Sequence, residues 1–153
     1  MYSDGSIAEV WFEESCRKLG LLDVLPSIQL VKKVLNKYLD SKVKIAIPYM
    51  EDENDVSECL DLVFKTDCLL IIENVDGETL RVAVDITVNL KKAEAKLAEV
   101  NSFSFRAVRC DLGINRYWIV VVRALKISSR AALIDTLYSQ IDENVEGAIV
   151  EIE

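Results

Sequence analysis

The chain has 153 residues, 51% of them hydrophobic, enough for one domain that buries well over half of its unfolded surface. A formal net charge of −8 opposes generic binding to a phosphate backbone, although it leaves room for a local basic groove. The absence of histidine removes Ser-His-Asp triads, Cys-His dyads, histidine general bases and histidine-ligated zinc together, so any chemistry rests on carboxylates, lysines, hydroxyls or thiols.

No apolar run approaches the roughly 20 residues that cross a bilayer. "MYSDGSIAEVWFEESC" has no basic stretch leading into an apolar one, so no signal peptide is expected. Cys16, Cys59, Cys68 and Cys110 are scattered without a CxxC pair and read as small buried hydrophobes in a reducing cytoplasm, the expected location.

Ser6 and Glu9 stand at capping-box spacing, which predicts a first helix from about Ile7 to Leu19. Ile7, Val10, Trp11 and Glu14 share one of its faces, and Phe12, Cys16 and Leu19 form a second apolar stripe, so burial on more than one side is expected. After Pro26 and Ser27, the spacing of Ile28, Val31, Val34, Leu35, Tyr38 and Leu39 predicts an amphipathic helix with Lys32, Lys33 and Lys37 off its apolar face. "KVKIAIP", Lys42 to Pro48, alternates at period two and predicts a strand.

The acidic "EDENDVSE" reads as a solvated loop, and "DVSECLDLVF" as a helix or the start of a strand, with helix preferred. Two β-rich runs in "TDCLLIIENVDGETLRVAVDITVN" flank Asp76-Gly77, a strong signal for an antiparallel hairpin. Asn89 is placed to cap a helix through "LKKAEAKLAEV", with Ala93, Leu97 and Val100 facing inward and Lys92, Lys96 and Glu99 outward.

"FRAVRCDLG" and "RYWIVVVRA" read as two strands joined by a tight turn at Gly113 to Asn115. Ser128 or Ser129 then caps a last helix through Ile134, Leu137, Tyr138 and Ile141, and "IDENVEGAIVEIE" reads as a solvated acidic end. The order predicts an α/β fold with a mixed central β-sheet and flanking helices in a single domain. Its core is expected over about 7–124, followed by a helix over about 129–142 and an acidic tail.

Within that frame Asp67 opens one hairpin strand, in "KTDCLLII", and Asp85 lies late in the next, in "VAVDIT". The element order and these two acids resemble the PD-(D/E)XK, or restriction endonuclease-like, superfamily, whose αβββαβ core is a helix, a three-strand meander, a helix and a further strand. The resemblance covers roughly Ile7 to Leu112. It implies Mg²⁺ held by Asp67 and Asp85, Glu14 as an added ligand from the first helix, and hydrolysis of phosphodiester bonds in DNA. Such an ion prefers oxygen ligands and is commonly held by one or two carboxylates while phosphate completes its shell.

Where the family has lysine two residues after the second acid, this chain has Thr87, so the positive charge must come from elsewhere. Lys65 shares a face with Asp67, and Lys91 or Lys92 opens the next helix; each is a candidate displaced lysine. A second reading keeps the fold without catalysis, as a binding module or a homodimer formed through the late strands or the last helix. Each acid also has a structural reading: Asp67 beginning a strand, Asp85 on a solvated face with Arg81 and Thr87, Glu14 paired with Lys18. Trp11, Phe105, Tyr117 and Trp118 read as core rather than as a base-stacking set. The basic face of Lys32, Lys33 and Lys37, with Lys42 and Lys44 beyond, reads as solvated.

Overall fold

The computed structural model describes residues 4–38, 50–52, 54–100, 106, 109–122, 130–143 and 145–152. The strand expected over Lys42–Pro48, the cap at Ser128 or Ser129, and Phe105 lie outside the described residues. Three helices come first: α1 (Asp4–Lys18), α2 (Ile28–Tyr38) and α3 (Asn54–Phe64). The hairpin β1 (Cys68–Glu73) and β2 (Thr79–Thr87) follows, then α4 (Leu90–Val100), β3 (Arg116–Val122), α5 (Arg130–Asp142) and β4 (Gly147–Ile152).

One mixed sheet runs in the order β1-β2-β3-β4. β1 is antiparallel to β2, while β2, β3 and β4 are mutually parallel, joined by the crossover helices α4 and α5. The hairpin turn forms where Asp76-Gly77 predicts it: Asn74 Oδ1 accepts from the N–H groups of Asp76 and Glu78 at 3.0 and 2.9 Å, and Gly77 takes φ +81°, which glycine alone adopts freely. Along the free side of β1, residues 21–23 run antiparallel to it. Leu22 bridges Leu70, Asp23 N–H donates to Leu69 O at 2.9 Å, and Ile71 N–H donates to Leu21 O at 2.8 Å.

Alternation along β2 divides the molecule into two apolar layers. Leu80, Val82, Val84 and Ile86 face one side, where they meet Ala8, Phe12 and Cys16 of α1 and Leu133, Leu137 and Ile141 of α5. Ala83 faces the other, with Val31 and Leu35 of α2, Cys59, Leu60 and Phe64 of α3, and Ala93 of α4. Helices thus cover both faces of a sheet whose middle strand, β3, is buried almost from end to end.

Several expectations are corrected. Helix α1 starts at Asp4, so Ser6 and Glu9 lie inside it rather than at its start. Its fully buried stripe is Ala8–Phe12–Cys16, while Ile7 and Val10 are exposed, so it buries one side rather than two. In "FRAVRCDLG", residues 109–111 are helical: Arg109 and Leu112, three apart, are both buried, a helical rather than an alternating spacing. The acidic end is also misread, because its residues 147–152 form β4, with Val150 and Ile152 turned into the core and Glu151 outward. Cys16, Cys59 and Cys68 are buried free thiols as expected, whereas Cys110 is exposed.

No helix among the described residues is long and apolar enough to cross a membrane. Tyr117 and Trp118 are completely buried and Trp11 lies against the α1 side of the core, as their core reading requires. On the basic face of α2, Lys37 is tied to Asp111 at 2.9 Å, and Lys32 and Lys33 are exposed.

Candidate functional site

The hairpin register decides what shares a face with what. Cys68 stands opposite Val84, and one step further the Asp67 N–H donates to Val84 O at 2.7 Å. Asp67 is therefore placed across from Asp85, on the α4 side of the sheet. Its Oδ2 accepts from the Ile86 N–H at 2.8 Å, which fixes the carboxylate over β2. Delivery of Asp67 to this position depends on the end of α3. Lys65 takes a left-handed φ of 50°, and the Thr66 N–H turns back to Leu60 O at 3.0 Å.

Asp85 is only 5% exposed, so the polar face of β2 is not a wetted one. Its charge is met by Lys96 of α4, whose Nζ lies 2.7 Å from Asp85 Oδ2. That approach is off the line of a hydrogen bond, and Asp85 Oδ2 has no directed donor, so the pair is held by charge rather than by a shared proton. The expectation that Lys96 faces outward is corrected. Asn89 caps α4, with Oδ1 accepting from the Lys92 N–H at 3.1 Å; Ala93 then packs on the sheet, and Lys96, three residues on, leans over the same face.

Burial and the adjacent Asp85 carboxylate push the Asp67 pKa far above the ordinary carboxylate range, opposed in part by the Ile86 amide; Glu9 adds to the rise. Glu9 itself is raised, by partial burial first and then by Asp61, Glu13 and Asp85. Asp67 and Asp85 thus face each other within the electrostatic reach of Glu9, and Lys96 pairs with Asp85.

The other sequence candidates fall differently. Glu14 is exposed and paired with Arg17 one turn away. Glu9, rather than Glu14, is the α1 carboxylate whose field reaches Asp67 and Asp85. Thr87 is buried, and its hydroxyl accepts from the Asn89 N–H at 3.2 Å, a local tie that shapes the turn into α4. Lys65 directs its ammonium toward Glu99 at 3.9 Å, and its carbonyl accepts from the Tyr117 hydroxyl at 2.5 Å. Lys91 and Lys92 are exposed on the first turn of α4. Arg81, at the far end of the polar face, bonds to Asp23 at 2.6 Å and tethers the 21–23 segment.

Since the left-handed backbone at Lys65 suits glycine better than lysine, Lys65→Gly is expected to fold normally and to change stability by less than about 1 kcal/mol, read by thermal melting.

Two residues of this site escaped the sequence reading. From its spacing Glu9 reads as part of a cap. Lys96 reads as outward-facing, although its spacing of three from Ala93 marks a position at the margin of the buried face.

As a donor set, two carboxylates suit a hard divalent ion that retains several waters. Among the described residues no group of three or more acidic, cysteine or histidine side chains stands ready to hold a metal, so Glu9 is a neighbour and not a ligand as placed. No family model matches the chain, and no curated protein or solved structure matches it.

Proposed function

We propose that the chain is a PD-(D/E)XK-like, Mg²⁺-dependent nuclease that hydrolyses phosphodiester bonds in DNA, with Asp67 and Asp85 as metal ligands. The observation that carries this reading is the facing of the two carboxylates across β1 and β2, with a buried Asp85 oxygen that lacks a directed donor. The chain order supports it in outline: α1, three antiparallel extended segments (21–23, β1 and β2), α4 and β3 follow the order helix, meander, helix and strand, with α2 and α3 inserted between 21–23 and β1.

In this reading Lys96 replaces the lysine that Thr87 cannot supply. It comes from α4 instead of β2, and its ammonium reaches Asp85 from the same side of the sheet. Bound Mg²⁺ would polarise the phosphate and lower the pKa of the attacking water. Asp67 and Asp85 hold and orient the ion. Lys96 stabilises negative charge on the water or the phosphate, and Glu9 deepens the local negative field that attracts the cation. Overall acidity would not by itself oppose substrate binding, because a metal at the two carboxylates together with Lys96 would reverse the sign where the phosphate docks.

The test is cleavage of supercoiled plasmid and of single-stranded DNA in Mg²⁺ or Mn²⁺, with EDTA as control. Metal-dependent nicking is expected. An intact substrate beside well-folded protein would favour the same fold acting as a binding or assembly module.

A further inference from the structure

Lys96 and a divalent ion would compete for the same oxygen. The ammonium already sits 2.7 Å from Asp85 Oδ2, the carboxylate is 7% exposed at its side chain, and no directed hydrogen bond holds the two in line. A metal ligated at that oxygen would stand roughly 2.1 Å from it, too close to a second cation in a poorly hydrated site for both to remain.

Helix α4 is anchored through Ala93 and Leu97, so relief comes from the lysine side chain alone. That side chain is 32% exposed, which gives it a route out, and Glu99 stands three residues further along the helix as an alternative partner. Glu99 is held only loosely, by Lys65 at 3.9 Å.

We propose that Lys96 is a built-in counter-ion, seated at Asp85 until a divalent metal takes its place there and frees the ammonium toward the substrate side of the site. This rests on the metal-binding reading above and adds to it an exchange: the site carries one cation at Asp85 at a time. The lysine is kept close to the carboxylates without metal and becomes available when metal arrives. Because coupling between two ligands of one site is reciprocal, removing the ammonium must strengthen metal binding by the factor with which metal displaces it.

The experiment uses Mn²⁺ as the probe. Acetylation of each lysine by a limiting acylating reagent is followed by mass spectrometry with and without Mn²⁺, while Mn²⁺ binding is measured independently by electron paramagnetic resonance. Mn²⁺ is expected to raise Lys96 labelling at least severalfold and to leave Lys32 and Lys33 unchanged. In Asp85→Asn, Lys96 is expected to label rapidly with or without the ion. Lys96→Gln is expected to bind Mn²⁺ about tenfold more tightly than the native chain. Bound Mn²⁺ with unchanged Lys96 labelling would overturn the exchange and leave the metal site standing. Absence of Mn²⁺ binding that depends on Asp67 and Asp85 would overturn both.

Discussion

Asp85→Asn is expected to reduce Mg²⁺-dependent cleavage by about a thousandfold or more, equivalent to roughly 4 kcal/mol of lost transition-state stabilisation, while the protein stays folded. Folding survives because of how the charge is removed. Asparagine keeps the shape of the side chain, and the partner left behind, Lys96, is partly exposed and can turn to solvent. The opposite truncation is not equivalent. Lys96→Met leaves Asp85 buried with no counter-ion, so it is expected to lower stability by about 1–3 kcal/mol, a range reduced for the exposure of the lysine. Measured together by melting and by plasmid nicking, the two variants separate chemistry from structure. Full cleavage by Asp85→Asn would sink the assigned site.

The placement of Asp85 and Asp67 on one face could be read from the chain, because it follows from the turn. Asp76-Gly77 sets the hairpin, Glu73 then meets Thr79, and counting back along the ladder brings 67 opposite 85. The caps at Asn89 and the buried run "YWIVVV" are local signals of the same kind, strong because each rests on neighbouring residues. What escaped is what tertiary contacts decide. Glu9 and Glu14 are five residues apart on one helix, and only the direction in which α1 crosses the sheet turns Glu9 toward the acids and leaves Glu14 beside Arg17.

Lys96 is equivocal by periodicity alone, since a long side chain at the margin of a buried face can point to solvent or lie across it. Here the buried charge on β2 selects the second. The strand β4 was hidden by its surroundings: Glu143, Glu146, Glu151 and Glu153 give the segment the composition of a solvated tail, while its alternating Val150 and Ile152 complete the sheet. Arg109 misled in the other direction. A buried guanidinium stacked 4.9 Å above the Tyr117 ring is a contact that alternation along the chain does not encode.

Raising the pH from about 4 to 8 in the absence of divalent metal is expected to destabilise the protein through Asp67. The sign follows from its folded pKa, raised from 3.8 to about 8 by burial and by Asp85. A group that holds its proton more tightly when folded stabilises the fold while it is protonated in both states, below the unfolded value. That contribution is lost progressively as pH rises through the interval and is gone above the folded value. Allowing for the partial solvation of Asp67 and for its coupling to Asp85, the loss is on the order of 2–3 kcal/mol, or roughly 5–10 °C in Tm for a domain of this size. Glu9, also raised, acts in the same direction. Asp67→Asn is expected to flatten this slope and to melt higher than the native chain at pH 8, because it no longer places a charge beside Asp85. Saturating Mg²⁺ is expected to restore Tm in the native chain at pH 8 and to do nothing for Asp67→Asn, since the ion binds the ionised carboxylate that the variant lacks. An unchanged pH slope in the variant would show that Asp67 does not hold the proton. A slope that flattens without any Mg²⁺ response in the native chain would leave a protonated acid pair that serves the fold alone.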